Sequence, residues 1–180
     1  MTLYVYVDNS NVWIEGMRLS AVKNGLAKDI REAMNKGISD PSWTYDFGQL
    51  YKCICPDTAQ IGRSSLFGSL PPDNDSLWEL AKKEGFEVFT FARNAANKEK
   101  QVDVAIATQI LSDSFQYMKP GDKVVLVSGD RDYLPVIENL RERGFETVVT
   151  FWEHATGKEL KTAPVSFSPL DPLFDHLTRK

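Results

Sequence analysis

Residues 123–145, KVVLVSGDRDYLPVIENLRERGF, place a strand, an acid-bearing turn and a helix in direct succession. Lys123–Val127 is an aliphatic and β-branched run with no polar alternation after its first position, as expected of a strand covered on both faces. Ser128-Gly129-Asp130-Arg131-Asp132 breaks it with turn chemistry, and a helix is expected over 131–143. Pro135 suits the first turn of that helix, and Gly144 stops it. Strand, acid and glycine-stopped helix form one half of a parallel-sheet repeat.

The same grammar extends outward. Residues 147–152 (TVVTFW) read as the next strand, and 86–91 (FEVFTF) as an earlier one. Between 86–91 and 123–127, residues 102–115 place Val102, Ala105, Ile106, Ile110 and Phe115 on one helical face, after a polar loop over 92–100. A helix over 74–84 is capped by Asp73 and ended by Gly85, and a weaker strand falls at 60–67. A short helix is expected at 46–54, and 25–43 read as helix end and loop. At the N-terminus LYVYV (3–7) is a buried strand that stops at Asp8-Asn9-Ser10-Asn11, before a helix over 11–24. Such alternation predicts a three-layer α/β/α sandwich with a mainly parallel sheet of about five strands. Residues 1–155 are assigned to this domain. The tail 156–180 is expected to pack on it, over the sheet edge or in a dimer contact, with a short helix near 170–178.

Composition agrees with one folded domain. The chain has 180 residues, 42% hydrophobic and 26% charged, which excludes collagen, coiled coil and long disorder. Lys and Arg total 21 against 25 Asp and Glu, a net charge of −4. That balance excludes a blanket basic surface for nucleic acid and leaves room for a local basic rim. Cys53 and Cys55, one residue apart, are poorly spaced for a disulfide and make no zinc pattern with His154 and His176. Reduced thiols fit a cytoplasmic setting. No apolar run approaches the roughly 20 residues of a membrane helix.

In open α/β sheets ligands bind at the carboxyl ends of the strands. Asp8 follows the first strand, and Asp130 and Asp132 follow KVVLV. Asp103 stands at the start of the helix that feeds KVVLV, so all four acids are expected at one edge. Helix capping is the competing account for Asp8, Asp130 or Asp132, and a favourable helix dipole that for Asp103. A cluster of carboxylates is costly without a cation, and an oxygen-only donor set favours Mg²⁺ or Mn²⁺. Ions so held typically serve phosphoryl displacement.

VYVDNSNVW, KEKQVDVAIATQIL (98–111) and VLVSGDRDYLPVIENLRERGF (125–145) together resemble the NYN domain family of the PIN-like nuclease superfamily. FGSLPP and GFEVFTF resemble its central region. The resemblance implies a Rossmann-like fold and a metal-dependent ribonuclease. Asp8, Asp103, Asp130 and Asp132 would be its acids and metal ligands, and Asn11 and Ser128 would assist. Lys100 would touch the phosphate or orient Asp103. Arg93, Lys98, Lys100 and Arg131, with Arg63 near by, would form a basic rim for single-stranded RNA. Trp13 or Tyr133 would stack on bases or pack in the core. His154 is expected at the surface or in a loop. A homo-oligomer is compatible with this reading. A receiver domain would want a lysine after TVVTFW, and a haloacid-dehalogenase-like phosphatase an Asp-x-Asp after the first strand; both are lacking. A non-catalytic NYN-like module binding RNA or protein is the alternative.

Overall fold

The computed structural model describes the chain except residues 57, 70–75, 92–97 and 163–164, and the side chains of 98–100. Six strands form one sheet: β1 (Thr2–Asp8), β2 (Gln60–Ser69), β3 (Glu87–Phe91), β4 (Lys123–Val127), β5 (Glu146–Phe151) and β6 (Ser166–Pro169). All neighbours run parallel, in the order β3-β2-β1-β4-β5-β6. Helices α1 (Asn9–Lys23), α2 (Ile30–Lys36), α3 (Phe47–Ile54) and α4 (Ser76–Lys83) precede β3. Helices α5 (Lys98–Gln116), α6 (Leu134–Glu142) and α7 (Phe174–Leu177) follow it.

Strand alternation divides the core in two. Leu3, Val5 and Val7 of β1 and Val125 and Val127 of β4 join Val12, Leu50, Trp78 and Phe174 from α1, α3, α4 and α7. Tyr4, Tyr6, Val124 and Leu126 face the other way, onto Val102, Ile106 and Ile110 of α5 and Val136, Ile137 and Leu140 of α6. The continuous apolar runs of β1 and β4 are explained by cover on both faces.

Three expectations need correction. The sheet has six strands rather than about five, because tail residues Ser166–Pro169 pair with Val148–Phe151. A four-residue strand ending in proline is a weak sequence signal, and the sheet edge is where proline is tolerated. Residues 25–43 hold α2, begun by the Asp29 side chain accepting from Glu32 N and ended at Gly37 in a left-handed conformation. α5 starts at Lys98, so 98–100 belong to helix rather than loop. The proposed cap Asp73 and the first residues of helix 74–84 lie outside the described residues; α4 is seen from Ser76. The tail is tied down by aromatic packing: Trp43 stacks on Phe174 with ring centres 5.5 Å apart, and Trp152 packs on the same ring at 6.0 Å. Cys53 and Cys55 carry free thiols. No helix among the described residues is long and apolar enough to cross a membrane.

Candidate active site

The strand order reverses direction of growth between β1 and β4, and that switch point is where open α/β sheets place their ligands. Asp8, the last residue of β1, continues the face of Tyr4 and Tyr6 toward α5. Its side chain caps α1, accepting from Asn11 N at 3.2 Å and from Asn11 Nδ2 at 2.6 Å. Only 2% of Asp8 is exposed. Burial pushes its carboxyl up to about 7, helped by the charges of Asp103 and Asp130 and opposed by the Asn11 hydrogen bonds.

Asp130 leaves the end of β4. Its Oδ1 accepts from Asp132 N at 2.9 Å, capping the short 3-10 turn Arg131–Tyr133. Ser128 is fully buried, and its Oγ accepts from Asp130 N at 3.4 Å. Tyr133, 2% exposed, donates its hydroxyl to Asp103 Oδ1 at 3.0 Å. Its phenol is raised far above the usual tyrosine range by burial and by the charges of Asp8, Asp103 and Asp130. One buried hydroxyl thus senses all three carboxylates. Capping holds for Asp8 and Asp130 and does not disperse them. Asp103 sits in the second turn of α5, not at a helix start, because the helix begins five residues earlier.

Asp132 is exposed and shares a cavity of about 280 Å³ with Asp103, Val104, Ala107 and Tyr133. A second cavity of about 310 Å³ lies between α1 and the loop after β5, lined by Asn11, Glu15, Gly129, Asp130 and Arg131 among others. Gly129 is required there by close approach: a Cβ would stand 2.4 Å from Ala155 O and 2.5 Å from Phe151 Cδ1. The loop after β5 is bound to this glycine, Gly157 N donating to Gly129 O at 3.0 Å. Among the described residues no group of three or more His, Cys, Asp or Glu is arranged to hold a metal ion as it stands.

Of the expected basic rim, Arg131 is exposed beside Asp130. Lys98 and Lys100 lie in the first turn of α5, their side chains outside the described residues, and Arg93 is outside them altogether. Arg63 is not part of the rim. It pairs in register with Tyr4 while Asp8 pairs with Phe67, four residues away or about 13 Å along the strand. It is bound to the buried Asp113 at 2.9 Å and to Glu87 at 3.2 Å. Tyr133 is core rather than a stacking platform, whereas Trp13 is half-buried.

Sequence reasoning missed Glu15 and its contact with His154, which lies in the loop after β5. The His154 side chain is only 9% exposed, and its Nε2 meets Glu15 Oε2 at 3.1 Å. Arg18 Nη1 donates to Glu15 Oε1 at 2.5 Å. Burial works against the Glu15 charge, but His154 and Arg18 outweigh it and hold the carboxyl below its usual range. Glu15 follows Asn11 by one helical turn, a spacing legible beforehand. His154 gave no such signal, since its place depends on the loop after β5 folding back over α1.

A six-stranded parallel sheet flanked by helices, with acids gathered at its switch point, defines a Rossmann-like α/β/α protein of the kind found among PIN-like nucleases. The chain belongs to the NYN domain family, whose model matches residues 3–171. NYN domains fall within the PIN-like nuclease superfamily, as the motifs implied. A protein of unknown function, VPA0982 from Vibrio parahaemolyticus RIMD 2210633, has a similar crystal structure, with a TM-score of 0.69 and 17% identity. The match covers 99% of this chain and 96% of that one and shows a shared fold. No curated protein matches the chain.

Proposed function

We propose that this protein is a metal-dependent ribonuclease that hydrolyses phosphodiester bonds of single-stranded RNA at the carboxyl ends of β1 and β4. The observation that carries the reading is Asp8: a buried carboxylate raised to about 7 with Asp103 and Asp130 adding to the rise. Such a group calls for a cation, and the all-oxygen donor set suits Mg²⁺ or Mn²⁺. Asp8, Asp103 and Asp130 would hold the ion, with Asp132 at its outer side. When bound, the ion supplies Lewis acidity, an activated water and charge stabilisation of the leaving oxygen.

The chain's own residues supply orientation. Asn11 fixes one face of the Asp8 carboxylate, Tyr133 fixes one oxygen of Asp103, and the backbone of Asp132 fixes one oxygen of Asp130. The other oxygen of Asp8 accepts from the Asn11 backbone N–H. Arg131, with Lys98 and Lys100, would meet the phosphates, which position the strand without reading its sequence. Two free cysteines are consistent with a cytoplasmic setting.

The test is cleavage of single-stranded and structured RNA with Mg²⁺, Mn²⁺ or EDTA. Metal-dependent cleavage is expected, abolished in Asp8→Asn and Asp130→Asn proteins that remain folded. Cleavage unchanged in those variants would refute the assignment. That no three described acids stand as a ready-made metal group favours the second reading, a non-catalytic module that binds RNA or protein. RNA binding without turnover in any ion would select it.

A further inference from the structure

The cavity of about 310 Å³ between α1 and the loop after β5 holds an acid outside the proposed metal set. Helix α1 lends Asn11 and Glu15 to its lining, and the turn after β4 lends Asp130 and Arg131. Phe151 and Ala155 add apolar wall. Glu15 lies four residues after Asn11, about 6 Å along the helix, and Asn11 is bound to Asp8. A ligand in this cavity therefore touches Glu15 and Arg131 while it borders the acidic cleft.

The Glu15 carboxylate is fixed and charged. Arg18 Nη1 donates to Oε1, and His154 Nε2 meets Oε2 at 3.1 Å. A carboxylate only accepts, so that ring nitrogen carries the proton. His154 Nδ1 is buried and meets no partner among the described residues, so the side-chain hydrogen bonding of the ring goes to Glu15. The two donors hold the Glu15 carboxyl below its usual range against burial, which keeps it an anion at neutral pH. Each oxygen has room for a second donor, and the side chain, 13% exposed, is not sealed off.

We infer that Glu15 selects RNA over DNA, by accepting a hydrogen bond from the 2′-hydroxyl of the nucleotide seated in this cavity. A charged acceptor repels phosphate and calls for a donor, whereas Arg131 in the same lining calls for an anion. A ribonucleotide carries both on adjacent atoms of its backbone. Its phosphate and ring oxygens only accept, and the 2′-hydroxyl is the one backbone group that donates. Deoxyribose has no donor there, so a DNA strand would leave the carboxylate facing the sugar without a partner. The inference deepens the ribonuclease reading and rests on it for the choice of nucleic acid.

The test is equilibrium binding to Asp8→Asn protein, which should not cut and whose substitution lies outside this cavity. Three fluorescein-labelled single strands of one uracil-free sequence are compared by anisotropy: RNA, DNA and 2′-fluoro RNA. All three carry the same bases, and fluorine at the 2′ position cannot donate. The RNA is expected to bind at least about ten-fold more tightly than either, the effect of one hydrogen bond to a charged acceptor. Adding Glu15→Ala should erase that preference by weakening RNA alone. Glu15→Gln, of the same shape and safer for the fold, should reduce it to a few-fold, because a neutral amide oxygen still accepts. Equal binding of the three strands overturns the inference. So does a preference that survives both substitutions, or a loss shared equally by RNA and DNA, as a structural acid or a base-amine contact would give. Absence of binding to any strand overturns it as well. Failure of the two readings is separable. A Glu15-dependent RNA preference without cleavage by the wild type leaves the inference standing and removes the nuclease. Metal-dependent cleavage by the wild type without that preference does the reverse.

Discussion

The Asp8→Asn substitution should stabilise the metal-free protein while abolishing its activity. In the folded chain burial pushes the Asp8 carboxyl up to about 7, against about 3.9 for an exposed aspartate. Below about pH 4 both folded and unfolded states hold the proton, and the group's stabilising contribution is complete. As the pH rises toward 7 the unfolded chain releases the proton and the folded chain keeps it, so stability falls. Above 7 both have released it and the loss levels off. The rise spans roughly three pH units at about 1.36 kcal/mol each, which gives a penalty of about 4 kcal/mol as an upper value. Asparagine cannot ionise, and it still caps a helix as well as aspartate does, so the Asn11 contact survives in kind. Urea unfolding of both proteins in EDTA, from pH 4 to pH 9, isolates the effect, because the other titrating groups cancel in the difference. The variant's advantage should grow from near zero at pH 4 to a few kcal/mol at pH 8. A variant equally or less stable at pH 8, or a difference that does not change with pH, would refute the claim that Asp8 is a strained buried anion.

Asp113→Ala should cost about 3–5 kcal/mol in urea unfolding, because it strips the buried Tyr6 phenol of its acceptor and leaves the half-buried Arg63 to Glu87 alone. Its fully buried carboxylate accepts from Tyr6 at 2.7 Å, Arg63 at 2.9 Å and Gln109 at 2.9 Å; a loss under 1 kcal/mol would show the cluster to be dispensable. Gly129→Ala should cost about 1–3 kcal/mol and lower RNA cleavage, since the new methyl must displace the backbone at Ala155 beside Asp130. Unchanged stability and activity would show that the loop after β5 yields freely.

The sequence declared the centre of the sheet more clearly than its margins. β1 and β4 are buried on both faces, so their residues form unbroken apolar runs, and the acids that end them stand out by contrast. β6 is half-exposed, four residues long and bounded by proline, and its pairing with β5 is a tertiary fact with no local signature. α2 was hidden because little of it is buried beyond Ala33. The positions of Asp8 and Asp130 were legible because strand ends fix them, whereas Asp103 lies inside α5. The contact of Tyr133 with Asp103 was not, since one 3-10 turn after Asp130 rotates the ring inward. Arg63 misled because its charge, read alone, does not reveal that a buried aspartate 50 residues away claims it.

The pairing of β1 with β4 also governs when the cleft comes into being. Asp8 and Asp130 lie 122 positions apart in the chain, and the ladder between Leu3–Val7 and Lys123–Val127 must close before they meet. Closing so long a loop draws its entropy cost before its contacts return anything, which places this step late in folding. During synthesis β1 waits for its central partner until most of the polypeptide has been made, with β2 available to pair with it earlier. A chain that stops short of β4 carries one half of the acids and no cleft, so the chemistry proposed for this protein belongs to no fragment that ends before β4.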